Sequence, residues 1–416
     1  MGVERFKLGD LCFKITDGSH NPPKGIDYSE HLMLSSKNVF DDHIHLEKPR
    51  YLSEIDFSKE NKRTDVSAGD VLLTIVGTVG RVAVVGKSLP KFTLQRSVAV
   101  LKPVPDKILS RFLMYCLQSM LEELLGEARG VAQKGIYLKS LRAMEINTPP
   151  IPEQKRIVAI LDQAFAGIEQ ARTKTEQNLK NARELFESYL QQVFSQRGEG
   201  WRASKLKEIT SKIGSGATPR GGRASYKSEG ISLIRSMNVH DRRFKRKDLA
   251  FIDDQQADKL SNVVVENNDV LLNITGASVA RCCLAPEEYL PARVNQHVSI
   301  IRADRAVISP AFLNFVLTSK YYKDQLLGIG EAGSTRQAIT KIQIEEFEVS
   351  YPKNLEDQQN LLSSLYSLEE KTNDIQRIYR KKLLDLDELK KSILQKAFSG
   401  ELTKTLEVDT NKGAVA

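Results

Sequence analysis

Apolar positions recur at alternating gaps of four and three along two stretches of the chain. The first set is Ile157, Leu161, Ala164, Ile168, Ala171, Thr175, Asn178, Ala182, Leu185 and Tyr189. The second is Leu361, Leu365, Leu368, Thr372, Ile375, Tyr379, Lys382, Leu386, Leu389 and Ile393. This is a heptad seam, and it predicts long helices over residues 151–197 and 352–402 that pack along one another at a shallow angle. Thr175, Asn178 and Lys382 weaken the seam and fix its register and partner. The two stretches end alike, Ser188-Tyr-Leu-Gln-Gln-Val-Phe-Ser195 matching Ser392-Ile-Leu-Gln-Lys-Ala-Phe-Ser399 in part. The simplest partner for each helix is the other one.

The polar and apolar pattern repeats outside the helices too. Lys7-Leu8 through Ile15 and Gly18 returns as Lys205-Leu206 through Ile213 and Gly216. Asp70-Val-Leu-Leu-Thr-Ile-Val-Gly77 returns as Asp269-Val-Leu-Leu-Asn-Ile-Thr-Gly276, and Leu34-Ser-Ser-Lys-Asn38 as Ile234-Arg-Ser-Met-Asn238. Arg81 pairs with Arg281 and Gln95-Arg96 with Gln296-His297. A period of roughly 200 residues is too long for a solenoid; it marks a duplicated globular module followed by a helix. Strand-like runs rich in Val, Ile and Thr fall at Leu32–Leu34, Val71–Val76, Val82–Val85 and Val98–Leu101. A helix is expected at about Ser110 to Leu125, and a strand or turn at Leu138–Ile146. Pro149, Pro150 and Pro152 close the first domain and open its helix, and Pro352 does this in the second copy.

The expected fold is therefore α+β. Two homologous globular domains (1–150 and 198–351), each a twisted β-sheet plus helices, are joined by two long antiparallel coiled-coil helices with pseudo-two-fold symmetry. Residues 403–416 form a frayed tail. The first helix ends where the second domain begins, and the second helix begins where that domain ends, which is why the pair reads as antiparallel. The inter-helix seam is expected to use Ile157, Leu161, Ile168, Leu185, Tyr189, Leu361, Leu365, Leu368, Ile375, Leu386, Leu389 and Ile393. A helix of about 45 residues is roughly 65 Å long and would act as a ruler between two similar heads. B-DNA has a matching local two-fold axis, with half-sites about one turn, roughly 34 Å, apart.

Charge adds to this picture. The chain of 416 residues carries 61 Lys and Arg against 53 Asp and Glu, a net +8, which favours a polyanionic partner over an acidic protein. The opening Met1-Gly-Val-Glu-Arg-Phe6 lacks the apolar run of a signal peptide, and no stretch has the length of a membrane span. The expected site of action is the cytoplasm. Cys12, Cys116, Cys282 and Cys283 lack zinc spacing and read as buried structural thiols.

Candidate DNA contacts lie where the copies diverge and where polar residues crowd the turns. In the first copy they are His20, Asn21, Lys37, Asn38, Thr78, Arg81, Arg96 and Lys134. In the second they are Thr218, Arg220, Arg223, Arg235, Asn238, Arg242, Arg243, Ser278, Arg281, His297 and Arg336. Arg, Asn, Gln and His can bond base edges, and Arg and Lys also hold phosphates without reading sequence. The run Arg242-Arg-Phe-Lys-Arg-Lys247 suits phosphates. Asn38, Asn238, Gln95 and Gln296, being common to both copies, equally suit bonds inside the fold.

Catalytic motifs are missing. Asn21-Pro-Pro-Lys24 is similar to the adenine-methyltransferase motif, but its fourth position should be aromatic. No glycine-rich nucleotide turn, phosphate loop or nucleophile elbow is present, and His43 and His45 lack a third metal ligand. No catalytic residue, cofactor site or metal site is expected in this chain.

The duplicated domain, the run Gly69-Asp-Val-Leu-Leu73 with Gly77 and Gly80 after it, Asn295-Gln296, Pro149-Pro-Ile-Pro-Glu-Gln154 and Leu394-Gln-Lys-Ala-Phe-Ser-Gly-Glu-Leu402 together resemble the specificity (S) subunit of type I restriction–modification enzymes. The second copy departs in having Asn268 for Gly69, Val279 near the Gly80 position, and Asn354-Leu-Glu-Asp-Gln358 for Pro-Ile-Pro-Glu-Gln. The resemblance implies two target recognition domains that read the halves of an asymmetric bipartite DNA target. It also implies that the paired helices act as spacer and dock two methyltransferase subunits using S-adenosylmethionine, with two restriction subunits using ATP and Mg joining the complex. The S subunit itself would be non-catalytic. The competing expectation is a structural scaffold that binds protein rather than DNA.

Overall fold

The computed structural model describes residues 4–128, 135–195, 199–331 and 337–401. The chain forms two compact units. One holds the chain up to Thr175 together with the chain from Lys381 on; the other is Glu176–Arg380. Each unit thus contains one globular domain and a stretch of both long helices.

In the first unit the organising strand is Val98–Pro103, buried at every residue. It runs antiparallel to Cys12–Asp17 on one side and Val71–Thr74 on the other, and Val82–Val84 completes a four-stranded sheet. Both faces are covered, so Val98–Leu101 reads as a continuous apolar run without alternation, and Lys102 is buried against Asp70. The strand's side chains nevertheless alternate in destination. Ala99 and Leu101 join a core with Phe112, Leu113 and Leu117 of the helix Ser110–Ser119, whereas Val98 and Val100 join a second core with Leu34, Phe92 and Leu94. That second core is closed by a small sheet in which Leu32–Leu34 runs antiparallel to Arg50–Tyr51 and parallel to Phe92–Leu94. Glu4–Lys7 pairs with Glu145–Thr148, which leads into the long helix.

The second unit repeats the plan. Its four-stranded sheet is Thr210–Ser215, Val298–Ala303, Val270–Asn273 and Cys282–Leu284. Ile231–Ile234 again lies parallel to Ala292–Val294, and Trp201–Lys205 pairs with Glu348–Pro352. Cys282 and Cys283 point to opposite cores of this unit, and all four cysteines are free and buried. Burial pushes the Cys12, Cys116 and Cys283 thiols up to about 12.

Several local expectations are corrected. The helix expected to reach Leu125 breaks at Met120 into Ser110–Ser119 and Leu121–Glu127. The segment Leu138–Ile146 starts as a helix, Leu138–Ala143, before the strand Glu145–Thr148. At the turns, Asn268 (φ +66°) takes the left-handed place of Gly69 (φ +92°), a conformation asparagine tolerates. Ala280, not Val279, takes that of Gly80: both N–H groups donate to the carbonyl of the equivalent strand residue, Asn273 or Thr74.

The long helices are Ile151–Ser195 and Leu355–Phe398, of 45 and 44 residues. Each is clamped to its domain by a buried glutamine. Gln154 accepts from the Leu109 N–H and donates to the Lys107 and Pro149 carbonyls; Gln358 accepts from Ser309 and donates to Val307 and Pro352. The departure at 354–358 therefore leaves the junction geometry intact.

Within the first unit Arg172 pairs with Asp387, and the Lys390 ammonium lies 5.1 Å from the Phe165 ring centroid. Ile157 and Leu161 share a core with Leu394 and Ala397. Rising numbers on one helix meet falling numbers on the other, so the stretches are antiparallel there. In the second unit Phe186, Leu190 and Phe194 share a core with Leu362 and Leu365.

Of the expected seam, Ile157, Leu161, Ile168, Leu365 and Leu386 are buried, and Tyr189, Leu361, Leu368 and Ile393 are half-buried. Leu185 (57% exposed), Ile375 (41%) and Leu389 (47%) do not belong to it. After Ala182 the buried positions step by four to Phe186, Leu190 and Phe194, because there the helix seats on the globular core as well as on the partner helix. On the second helix the covered stripe runs Thr372, Gln376, Tyr379, Leu383, Leu386, Lys390 and Ile393. That is the same heptad with its gaps in the order four then three, displaced by one residue from Ile375 and Leu389.

Candidate nucleic-acid interface

Each domain carries a tight hairpin beside the edge of its main sheet, Val39–Phe40 with His43–Ile44 in one and Val239–His240 with Arg243–Phe244 in the other. A single asparagine ties each hairpin. The Asn38 Oδ1 accepts from the Ser35 N–H at 3.0 Å, while its Nδ2 donates to the carbonyls of His45 (3.1 Å) and Glu47 (3.0 Å). Asn238 repeats this with Arg235, Lys245 and Lys247. Both side chains are buried. Asn38 and Asn238 are therefore structural knots, and their expected role as DNA contacts is corrected: every polar atom is already used and faces away from solvent.

Next to the hairpin lies an open cleft. In the second domain it is lined by Ser236, Met237, Thr275, Gly276, Ala277, Ser278, Arg281 and His297. A hydrogen-bond chain crosses its rim, from the Thr218 hydroxyl to Gln296, from Gln296 Nε2 to His297 Nε2 (3.1 Å), and from His297 Nδ1 to the Thr275 hydroxyl (2.5 Å). The pairing of Gln95-Arg96 with Gln296-His297 is corrected here. The Ile75 and Ile274 N–H groups donate to the carbonyls of Ser97 and His297 respectively, and those of Gln95 and Asn295 donate to Leu34 and Ile234. The counterparts are thus Gln95 and Asn295, Arg96 and Gln296, Ser97 and His297. In the first domain Ser97 Oγ accepts from the Ser36 N–H at 3.0 Å, so a small hydroxyl stands where the second domain presents an imidazole. The repeated glutamine in the sequence concealed this one-residue slip.

Around the hairpins, the structure sorts the remaining candidates. Asn21, Lys37, Thr78, Arg96, Arg220, Arg223 and Arg243 are exposed. His20 bonds Asp17 (2.8 Å), which is buried and also held by Arg63. Arg81 lies over the Phe40 ring at 4.6 Å, and Arg235 over Tyr226 at 5.4 Å while donating to the Asp248 carbonyl. Thr218, Ser278, Arg281 and His297 are half-buried at the second cleft. Arg242 is corrected: 18% exposed at its side chain, it turns inward to Glu369 (2.9 Å) and is taken out of the phosphate-facing run. Lys134 and Arg336 lie outside the described residues.

The second hairpin is electropositive. Burial, then the nearby charges of Lys245, Arg281 and Arg243, hold the His240 pKa below the ordinary imidazole value. Sequence reasoning missed His240, and also Arg63, which anchors the first turn; nothing in the local pattern signals either. The Pro22 and Pro23 carbonyls of the Asn-Pro-Pro-Lys segment accept from Arg50, so that loop is tied down as structure. Among the described residues no cluster of His, Cys, Asp or Glu could hold a metal ion, and no helix is long and apolar enough to cross a membrane.

A repeated α+β domain, each copy seated on stretches of the same two long helices and bearing the same hairpin and neighbouring turn with different side chains, defines a duplicated recognition scaffold. Residues 2–180 and 198–384 match the family described as Type I restriction modification DNA specificity domain, and the chain belongs to that family. It is a specificity subunit, the non-catalytic member of a type I restriction–modification complex. It is 30% identical over 199 residues to the type I restriction enzyme EcoBI specificity subunit of Escherichia coli, a match covering 46% of this chain and 40% of that protein. Over 357 residues it is 22% identical to the type I restriction enzyme MjaVIII specificity subunit of Methanocaldococcus jannaschii, covering 82% and 81%. The fold matches the HsdS subunit from Thermoanaerobacter tengcongensis (TM-score 0.60, 18% identity, 96% and 97% covered). It also matches a chain from a study of complex assembly and conformational transition of the type I R-M system (TM-score 0.76, 18% identity, 96% and 98% covered).

Proposed function

We propose that residues 1–150 and 198–351 are target recognition domains, each reading one half of an asymmetric bipartite DNA site across a gap set by the helices 151–197 and 352–402. The observation that carries this reading is the paired turn beside each hairpin: one backbone frame holds Ser97, Arg96 and Lys37 in one copy and His297, Gln296 and Met237 in the other. Identical frames with different polar side chains suit two different sequences. The base-reading and phosphate-holding residues are His20, Asn21, Lys37, Thr78, Arg81, Arg96 and Lys134 for one half-site. For the other they are Thr218, Arg220, Arg223, Arg235, Arg243, Ser278, Arg281, His297 and Arg336.

The helix pair docks two methyltransferase subunits, which supply S-adenosylmethionine chemistry, and two restriction subunits supply ATP- and Mg-dependent cleavage. The complex acts in the cytoplasm. The test is a duplex-binding titration of the chain with its methyltransferase partner across a salt series. Affinity should fall steeply and linearly in log salt, as phosphate contacts require; a salt-insensitive association would support the protein-binding scaffold instead.

A further inference from the structure

The two units solve one packing problem with opposite charges. At the tip of each hairpin stands a residue in the left-handed region, Asp42 (φ +61°) and Arg242 (φ +54°). Their N–H groups donate to the carbonyls of equivalent strand residues, Val82 at 2.9 Å and Cys282 at 2.8 Å, so the two are structural counterparts. In the first unit the Asp42 carboxylate accepts a two-pronged bond from Arg111 (2.9 and 3.0 Å). The same guanidinium holds Asp162 of the first long helix at 2.7 Å, and Tyr115 donates to Asp162 at 2.5 Å. Hairpin, short helix and long helix are joined through one cation on the short helix.

The second unit has Ala311 where Arg111 stands, since Phe112 and Phe312 begin the same core faces. No cation is available from the short helix, and the hairpin itself supplies it. Arg242 bonds Glu369 of the second long helix at 2.9 Å, faces Glu187 of the first at 3.9 Å and donates to Thr318 at 3.3 Å. It lies over the rings of Phe186 (5.0 Å) and Phe315 (5.6 Å). A left-handed backbone is uncommon for arginine, so this web of contacts holds a conformation the residue would not choose alone.

We propose that these two clusters are docking keys, each fixing the seat of its recognition domain on the helix pair and refusing the other domain's residues, with Arg242 and Glu369 the positioning pair of the second. An aspartate at 242 would face Glu369 and Glu187 without any cation between them. An arginine at 42 would face Arg111. The pair Arg242–Glu369 is mostly buried, 18% and 26% exposed at the side chains, so its charges are weakly screened and the mismatch is felt. This inference rests on the half-site reading above: a domain held at a fixed seat presents its cleft at a fixed distance along DNA, and a loosened domain tolerates several distances.

The experiment uses the full chain assembled with its methyltransferase subunits. Duplexes carry the two half-sites, mapped beforehand by adenine methylation, at the native gap and at gaps one base pair shorter and longer. Wild type should discriminate strongly against the altered gaps. Arg242→Asp should lower that discrimination roughly tenfold, the scale of a coupled pair, and adding Glu369→Arg to the same chain should restore most of it. Thermal melting verifies that the variants fold; if Arg242→Asp does not, Glu369→Gln should show a smaller loss in the same direction. Unchanged discrimination in Arg242→Asp or Glu369→Gln, with wild type discriminating, overturns the key while sparing the half-site reading. A double variant no better than Arg242→Asp also overturns it, because packing rather than charge would then be responsible. A wild type indifferent to gap length overturns the half-site reading and the key together.

Discussion

Asn38 and Asn238 make the same three bonds in the two domains, whereas a few residues further on the same backbone carries Asp42 in one and Arg242 in the other. The contrast teaches how to divide this duplicated molecule. Positions common to both copies, including Gln154 and Gln358, spend their polar atoms inside the fold. Positions that differ sit on the cleft rim or at the seat on the long helices. A shared polar residue is thus evidence for architecture, and a divergent one, on an unchanged backbone, is where the proposed function puts the choice between targets.

The largest effects should come from breaking what is shared. Asn38→Ala and Asn238→Ala each remove three hydrogen bonds and strand buried backbone groups, at a cost of about 3 kcal/mol. Denaturant unfolding should show similar losses for the two. A variant that kept full stability and changed only target choice would show the asparagine to be a reader after all. Gln154→Ala and Gln358→Ala should cost about 2 kcal/mol each on the same grounds, measured as shifts of the unfolding midpoint.

Breaking what differs at exposed positions should move recognition and leave stability alone. Arg220→Ala or Arg223→Ala should weaken binding about tenfold through the second half-site only. Competition between duplexes altered in one half-site at a time checks this, and any change of preference at the first half-site contradicts the assignment. The smallest effect is a pH dependence at the second hairpin, where His240 stands in place of Phe40. Its pKa is lowered by burial and by Lys245 and Arg281, so the neutral form contributes stability. That stability is present above the unfolded value of about 6.5 and lost as pH falls through the lowered folded value. A phosphate backbone brought alongside would favour the protonated form. Affinity at the second half-site should therefore rise about threefold between pH 7.5 and 6, and His240→Gln should flatten the profile.

Much of this was legible in the chain. The duplication, both long helices and the continuous apolar strands around Val71 and Val98 follow from periodicity and repetition. The helix Glu54–Thr64 was not, because only Phe57 and Thr64 are buried on it, so it carries no continuous apolar stripe. The sequence pattern misses that the seam lies one residue beyond Ile375 and Leu389, because Gln376 and Lys390, the latter with its ammonium over the Phe165 ring, count as polar in any pattern. The cleft was misaligned by the glutamines at 95 and 296, and only backbone hydrogen bonds reveal that Ser97 faces the duty of His297. Arg242 looked like part of a basic run; its inward turn depends on Glu187 and Glu369, far away in sequence.

The central claim is that two independent readers are held at a set spacing by the helices. Inserting one heptad at matching points in both long helices lengthens the rod by roughly 10 Å, or about three base pairs. Mapping the methylated adenines of cells that carry this variant with its partner subunits should return the same two half-sites with a gap longer by about that amount. Altered half-sites, or an unaltered gap in an active complex, would contradict the account.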